Sequence, residues 1–145
     1  MTDAGDRKWS LMFLAAAIFN FAMGGPIFLA PGSSYRLAYR GPSTESTLRF
    51  WGDFGFAVLL IGVGYWMLSR DLVRNRGIVW LGIFAKLFDV VALSWRASQG
   101  IARPVVLFPA AVDAGFIILF ILFLRSTASK DLNPGAEGAT RDRVR

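Results

Sequence analysis

The stretch "GIFAKLFDVVALSW", Gly82 to Trp95, decides how the chain is read, because it is apolar almost throughout and yet carries Lys86 and Asp89 near its centre. With the residues just before it, it forms a segment, Ile78 to Trp95, close to the roughly 20 residues that cross a bilayer. Three further segments have the same character: Trp9 to Ala30, Phe50 to Ser69 and Pro104 to Leu124. The pattern predicts an all-α membrane protein, an antiparallel four-transmembrane-helix bundle filling residues 1–124. Residues 125–145 form a polar tail with the composition of a disordered cytoplasmic segment.

Composition supports this class. Of 145 residues, 54% are hydrophobic, 13 of them Phe, and the mean hydropathy of +0.47 is high for a soluble domain. Trp9, Trp51, Trp66, Trp80 and Trp95 lie close to the expected helix ends, where an indole favours the membrane interface. The first segment is too long for the apolar part of a signal peptide and lacks a small-x-small cleavage site, so it is expected to be retained. The chain has neither His nor Cys, which removes the usual zinc and haem ligands, thiol redox chemistry and disulfides.

The net charge of +6 is distributed around the ends of the apolar blocks. Membrane lipids with anionic headgroups account for that placement, and nucleic acid is not an expected partner. Arg7, Lys8, Arg70, Arg74, Arg76, Arg125 and Lys130 fall on one side of the spans, and Arg36, Arg40, Arg49, Arg96 and Arg103 on the other. The excess places both termini in the cytoplasm. The connections "RDLVRNRG" and "RASQGIAR" are short enough to make their flanking helices neighbours. The longer link after the first span contains "SYRLAY", expected to lie on the outer surface or to cap the bundle.

Each span carries a strongly polar residue: Asn20, Asp53, Lys86 with Asp89, and Asp113. Counting helical rise from the inner boundary puts Lys86 at roughly 12 Å, Asn20, Asp89 and Asp113 at roughly 16 Å, and Asp53 at roughly 22 Å. Small residues share their faces: Ala16, Ala17 and Gly24 with Asn20, Gly82 and Ala85 with Lys86, Ala110 with Asp113, and Ala57 and Gly64 with Asp53. Such faces allow close helix approach, so all five polar side chains are expected to point inward. Lys86 and Asp89, one turn apart, are expected to neutralise each other, leaving Asp53 and Asp113 without a partner inside a span. Gly24-Gly25-Pro26 and Pro109 are expected to mark kinks or helix ends.

Buried ionisable groups in a membrane mark functional sites by default. These five residues predict a pocket near mid-membrane that binds a lipophilic small molecule, quinone- or lipid-like. Two other readings share the same residues. One is an accessory subunit docking to a partner membrane subunit or to its own copies. The other is an intramembrane acid–base isomerase or hydratase using Asp53, Lys86, Asp89 or Asp113.

"FAMGGPIFLAP" at the end of the first span and "WGDFGFAVLLIGVGY" in the second resemble the DoxX-like small membrane proteins, with Pro31, Asp53, Gly55 and Gly62 as the matching positions. The resemblance implies a four-helix bundle in the bacterial inner membrane, associated with quinone-linked sulfur oxidation or with a membrane redox complex. In a chain without Cys or His, such a role would require a bound quinone or a partner subunit. Lys86, Asp89 and Asp113 have no counterpart in that pattern.

Overall fold

The computed structural model describes residues 3–131. Four long helices dominate: α1 (Asp3–Leu29), α3 (Glu45–Arg70), α4 (Gly77–Ser98) and α5 (Leu107–Asp131), with a short α2 (Pro31–Ala38) between the first two. Even the shortest of the four, at 22 residues, spans about 33 Å at a rise of 1.5 Å per residue. All four are long and apolar enough to cross a membrane, so the chain is a multi-pass membrane protein by length and composition. Its outer surface agrees, since Leu81, Phe84, Phe88 and Val91 on α4 and Ile118 on α5 are each about 60% exposed or more. A belt of that kind is at home in lipid, not in water.

Local chemistry sets the helix boundaries. Pro31 occupies the first turn of α2, where its missing N–H costs nothing. The Thr44 hydroxyl caps α3 by accepting from the Thr47 backbone N–H at 3.2 Å. After α4 the chain turns through Gly100 at a φ of +71°, a conformation open to glycine. A 3-10 turn, Pro104–Val106, then leads into α5. The expected kinks do not end the helices. Proline 26 sits inside a continuous α1, and Pro109 falls in the first turn of α5, where proline is tolerated. Helix α5 also runs on to Asp131, past the expected start of the tail at 125, and the rest of that tail lies outside the described residues.

Helices α1 and α3 pack along most of their length, and so do α4 and α5, while α3 meets α4 over a shorter stretch. The α1–α3 seam is tight because glycines line it. A β-carbon on Gly24 would lie 2.9 Å from the Gly55 carbonyl oxygen, and one on Gly55 would lie 2.6 Å from the Phe28 nitrogen. The same seam carries a hydrogen bond from the Ser10 hydroxyl to the Ser69 carbonyl at 2.6 Å.

Two clusters close the bundle at its ends. At the end where α1 begins, Phe13, Tyr65, Leu68, Val79, Phe120 and Phe123 are fully buried. Phe13 meets Phe120 and Phe123 at ring separations of 5.1 and 5.0 Å. At the other end α2 lies across the helices. Tyr39 stacks on Tyr35 at 4.9 Å and meets Trp51 edge-on at 5.3 Å. Backbone bonds from Arg103 to the Ala38 carbonyl and from Arg40 to the Ile101 carbonyl fasten this cap to the α4–α5 link. The "SYRLAY" segment is therefore the cap.

Candidate functional site

Between the two clusters, side chains from all four long helices meet at a buried charge. Lys86 is 3% exposed, Asp113 5% and Asn20 6%. The Lys86 ammonium donates to the Asp113 carboxylate and, at 3.3 Å, to the Asn20 side-chain oxygen. The Asn20 amide nitrogen donates to the Val58 carbonyl at 3.3 Å. An asparagine can serve an ammonium on one side and a carbonyl on the other because its amide has both an acceptor and a donor. Helices α1, α3, α4 and α5 are thus joined through one cation.

Aromatic faces complete the surroundings of Lys86. Its nitrogen lies 5.1 Å from the Phe116 ring centre, 5.5 Å from Tyr65 and 5.6 Å from Phe19. Ring quadrupoles attract a cation at such distances, and more strongly where water is excluded. Gly82, one turn before Lys86, makes room for Tyr65, since a β-carbon there would lie 2.6 Å from the tyrosine oxygen.

This network forms one end of a cavity of about 340 Å³, set between the α1–α3 pair and the α4–α5 pair. Its walls are apolar and aromatic, with Met23, Ile27, Phe54, Val58, Leu93 and Phe108 among them. The far end is covered by Ser34, Leu37 and Ala38 of α2. Trp51 also lines it and donates from its indole nitrogen to the Ser34 hydroxyl at 3.0 Å. This tryptophan, expected at the membrane interface, is built into the cap.

Of the five sequence-predicted residues, the structure brings four together: Asn20, Lys86, Asp89 and Asp113 all line the cavity. Asp53 does not join them. It is exposed, because α3 turns its Gly55, Val58, Gly62 and Tyr65 face toward the other helices and places Asp53 on the far side. The expected pairing is also corrected. Lys86 engages Asp113 across the α4–α5 interface, and Asp89, partly buried at the cavity wall, makes no hydrogen bond or ion pair among the described residues.

The sequence reading missed Tyr65 and Trp51 as site residues. The available signal was the spacing Gly55, Val58, Gly62, Tyr65, which returns to one helix face every three or four residues. Among the described residues, no group of three or more His, Cys, Asp or Glu is placed to hold a metal ion.

Outside the spans, burial pushes the Tyr39 hydroxyl above its usual pKa, and the Arg96 guanidinium, donating to it at 3.3 Å, partly offsets the rise. Compared with protein-family models, with curated proteins and with solved structures, the chain matches none.

The Tyr65 hydroxyl is buried with no hydrogen-bond partner among the described residues. Tyr65→Phe therefore removes no protein hydrogen bond, and its thermal stability is expected to stay within about 1 kcal/mol of wild type. A larger loss on thermal unfolding in detergent would show that the hydroxyl has a partner.

Proposed function

We propose that the protein binds a lipophilic small molecule, quinone- or lipid-like, in the cavity between its two helix pairs. The observation that carries this reading is the cavity itself: an apolar, aromatic chamber with a few polar groups gathered at one end. Such a division suits a ligand with an apolar body and one polar head. Packing alone would not require it, since the same helices close completely around Phe13, Phe120 and Phe123.

In this proposal the four long helices run antiparallel through the cell (inner) membrane with both termini cytoplasmic. The pairing of Ser10 with Ser69 and of Asn20 with Val58 supports opposed directions for α1 and α3. The flanking basic residues support the side. A DoxX-like assignment belongs to the same proposal and rests on the two quoted stretches. Two of its matching positions, Gly55 and Gly62, lie where α3 approaches α1.

Native mass spectrometry of protein released from mild detergent tests ligand binding. Ala22 lines the cavity yet is exposed, so Ala22→Trp fills the chamber at little cost to helix packing. The wild type is expected to carry a discrete small-molecule adduct lighter than a phospholipid, and Ala22→Trp to lose it while keeping its elution volume. Bare protein in both samples would count against the proposal.

A further inference from the structure

Two polar groups of the cavity have no partner among the described residues, the Tyr65 hydroxyl and the Asp89 carboxylate, and only Asp89 can carry a charge. Lys86 is committed to Asp113 and Asn20, and those two charges cancel. Asn20 spends its amide on Val58, and the Ser34 hydroxyl donates to the Ala30 carbonyl and accepts from Trp51. Of the two unpartnered lining groups the Tyr65 hydroxyl is neutral, whereas the Asp89 carboxylate, when ionised, is an acceptor only.

No cation forms an ion pair with Asp89 among the described residues, although Lys86 and Arg96 act on it from a distance. Arg96, two turns along α4, donates to the Tyr39 hydroxyl at 3.3 Å, and Arg103 donates from its side chain to the Tyr39 carbonyl at 3.4 Å. Both belong to the α2 cap. With Lys86, Asp89 and Asp113 ionised, the cavity holds one positive and two negative charges and is left one negative charge in excess. An uncompensated carboxylate in a medium of low dielectric is unfavourable, and a ligand that supplies the missing charge removes that penalty on binding. Phe19, Trp51, Phe54 and Phe108 present aromatic surface in the same walls, which favours a cation further.

We propose that the cavity selects lipophilic cations, a protonated amine or an onium group carried on an apolar frame, with Asp89 as the counter-charge. This inference rests on the cavity being a ligand site, and of the two ligand types proposed above it favours a lipid-like cation over a quinone. A head that offers only acceptor oxygens, such as a quinone carbonyl or a phosphate, would set oxygen against oxygen at Asp89.

The test compares two probes of similar shape on the full-length protein in detergent, followed by quenching of tryptophan fluorescence. Tetraphenylphosphonium is a cation, and triphenylphosphine oxide is a neutral acceptor. Wild type is expected to bind the phosphonium saturably and at least about tenfold more tightly, a difference of about 1.4 kcal/mol. Asp89→Glu should keep that preference and Asp89→Asn should abolish it. Equal affinity for both probes, unchanged in Asp89→Asn, would overturn cation selectivity and leave the ligand site standing. Saturable binding of neither probe would overturn both.

Discussion

Replacing Lys86 with Met is expected to destabilise the bundle by about 3–5 kcal/mol, and replacing Asp113 with Leu in the same chain to restore most of that loss. The single variant leaves the Asp113 carboxylate, 5% exposed, without the ammonium that now faces it. It also strips Asn20 of one of its two partners. The double variant removes both charges, and a buried ion pair replaced by apolar residues of similar volume is often neutral. Asp89→Leu in the Lys86→Met background should rescue far less, because Asp89 is not the residue paired with Lys86. Thermal unfolding in detergent, with each single and double variant in one cycle, reads the coupling directly. Equal rescue by the Asp89 and Asp113 substitutions would contradict the pairing described here.

Gly55→Ala is the second large effect, an expected loss of about 1–3 kcal/mol from overpacking a tight seam. The added β-carbon would lie 2.6 Å from the Phe28 nitrogen, 2.7 Å from the Ile27 Cγ2 and 2.9 Å from the Ile27 carbonyl carbon. Two of these atoms belong to the α1 backbone, so a rotamer change cannot relieve the contact and the helices must part. Parting them lengthens the Ser10–Ser69 and Asn20–Val58 bonds across the same interface. Gly25→Ala is the matched control. A β-carbon there meets nothing within 4 Å, and alanine is the better helix former by about 1 kcal/mol. The two substitutions should therefore shift the thermal midpoint in opposite directions.

The four spans were legible because crossing a bilayer demands a long apolar run whatever the tertiary packing, and each run in this chain is bounded by charge. Asn20, Lys86 and Asp113 were legible for a related reason. Each shares a helix face with small residues, and the faces holding Ala16, Ala17, Gly82 and Ala110 are indeed buried. Asp53 misled because α3 offers two glycine-bearing faces. The one with Gly55 and Gly62 meets α1, while the one with Asp53 and Ala57 is exposed.

The partner of Lys86 was illegible for a different reason. Spacing along a helix reveals neighbours on that helix, here Asp89 three residues on. Which residue stands opposite depends on the register between α4 and α5, which no local pattern encodes. The depth count did place Asp113 level with Asp89, and the less exposed of the two carboxylates takes the ammonium. The cap was legible only as one of two places for "SYRLAY", since its cohesion comes from Tyr39 and Trp51 meeting across separate elements.

Photoaffinity labelling of the intact protein in lipid vesicles tests the central claim most directly. A diazirine-bearing lipophilic amine would be activated by light and its attachment sites mapped by mass spectrometry after digestion. Labels are expected on the cavity-lining Phe54, Val58 and Leu93, suppressed by an excess of the same amine without the diazirine. Labels confined to the outward-facing Leu81, Val91 and Ile118, and indifferent to the competitor, would contradict the account.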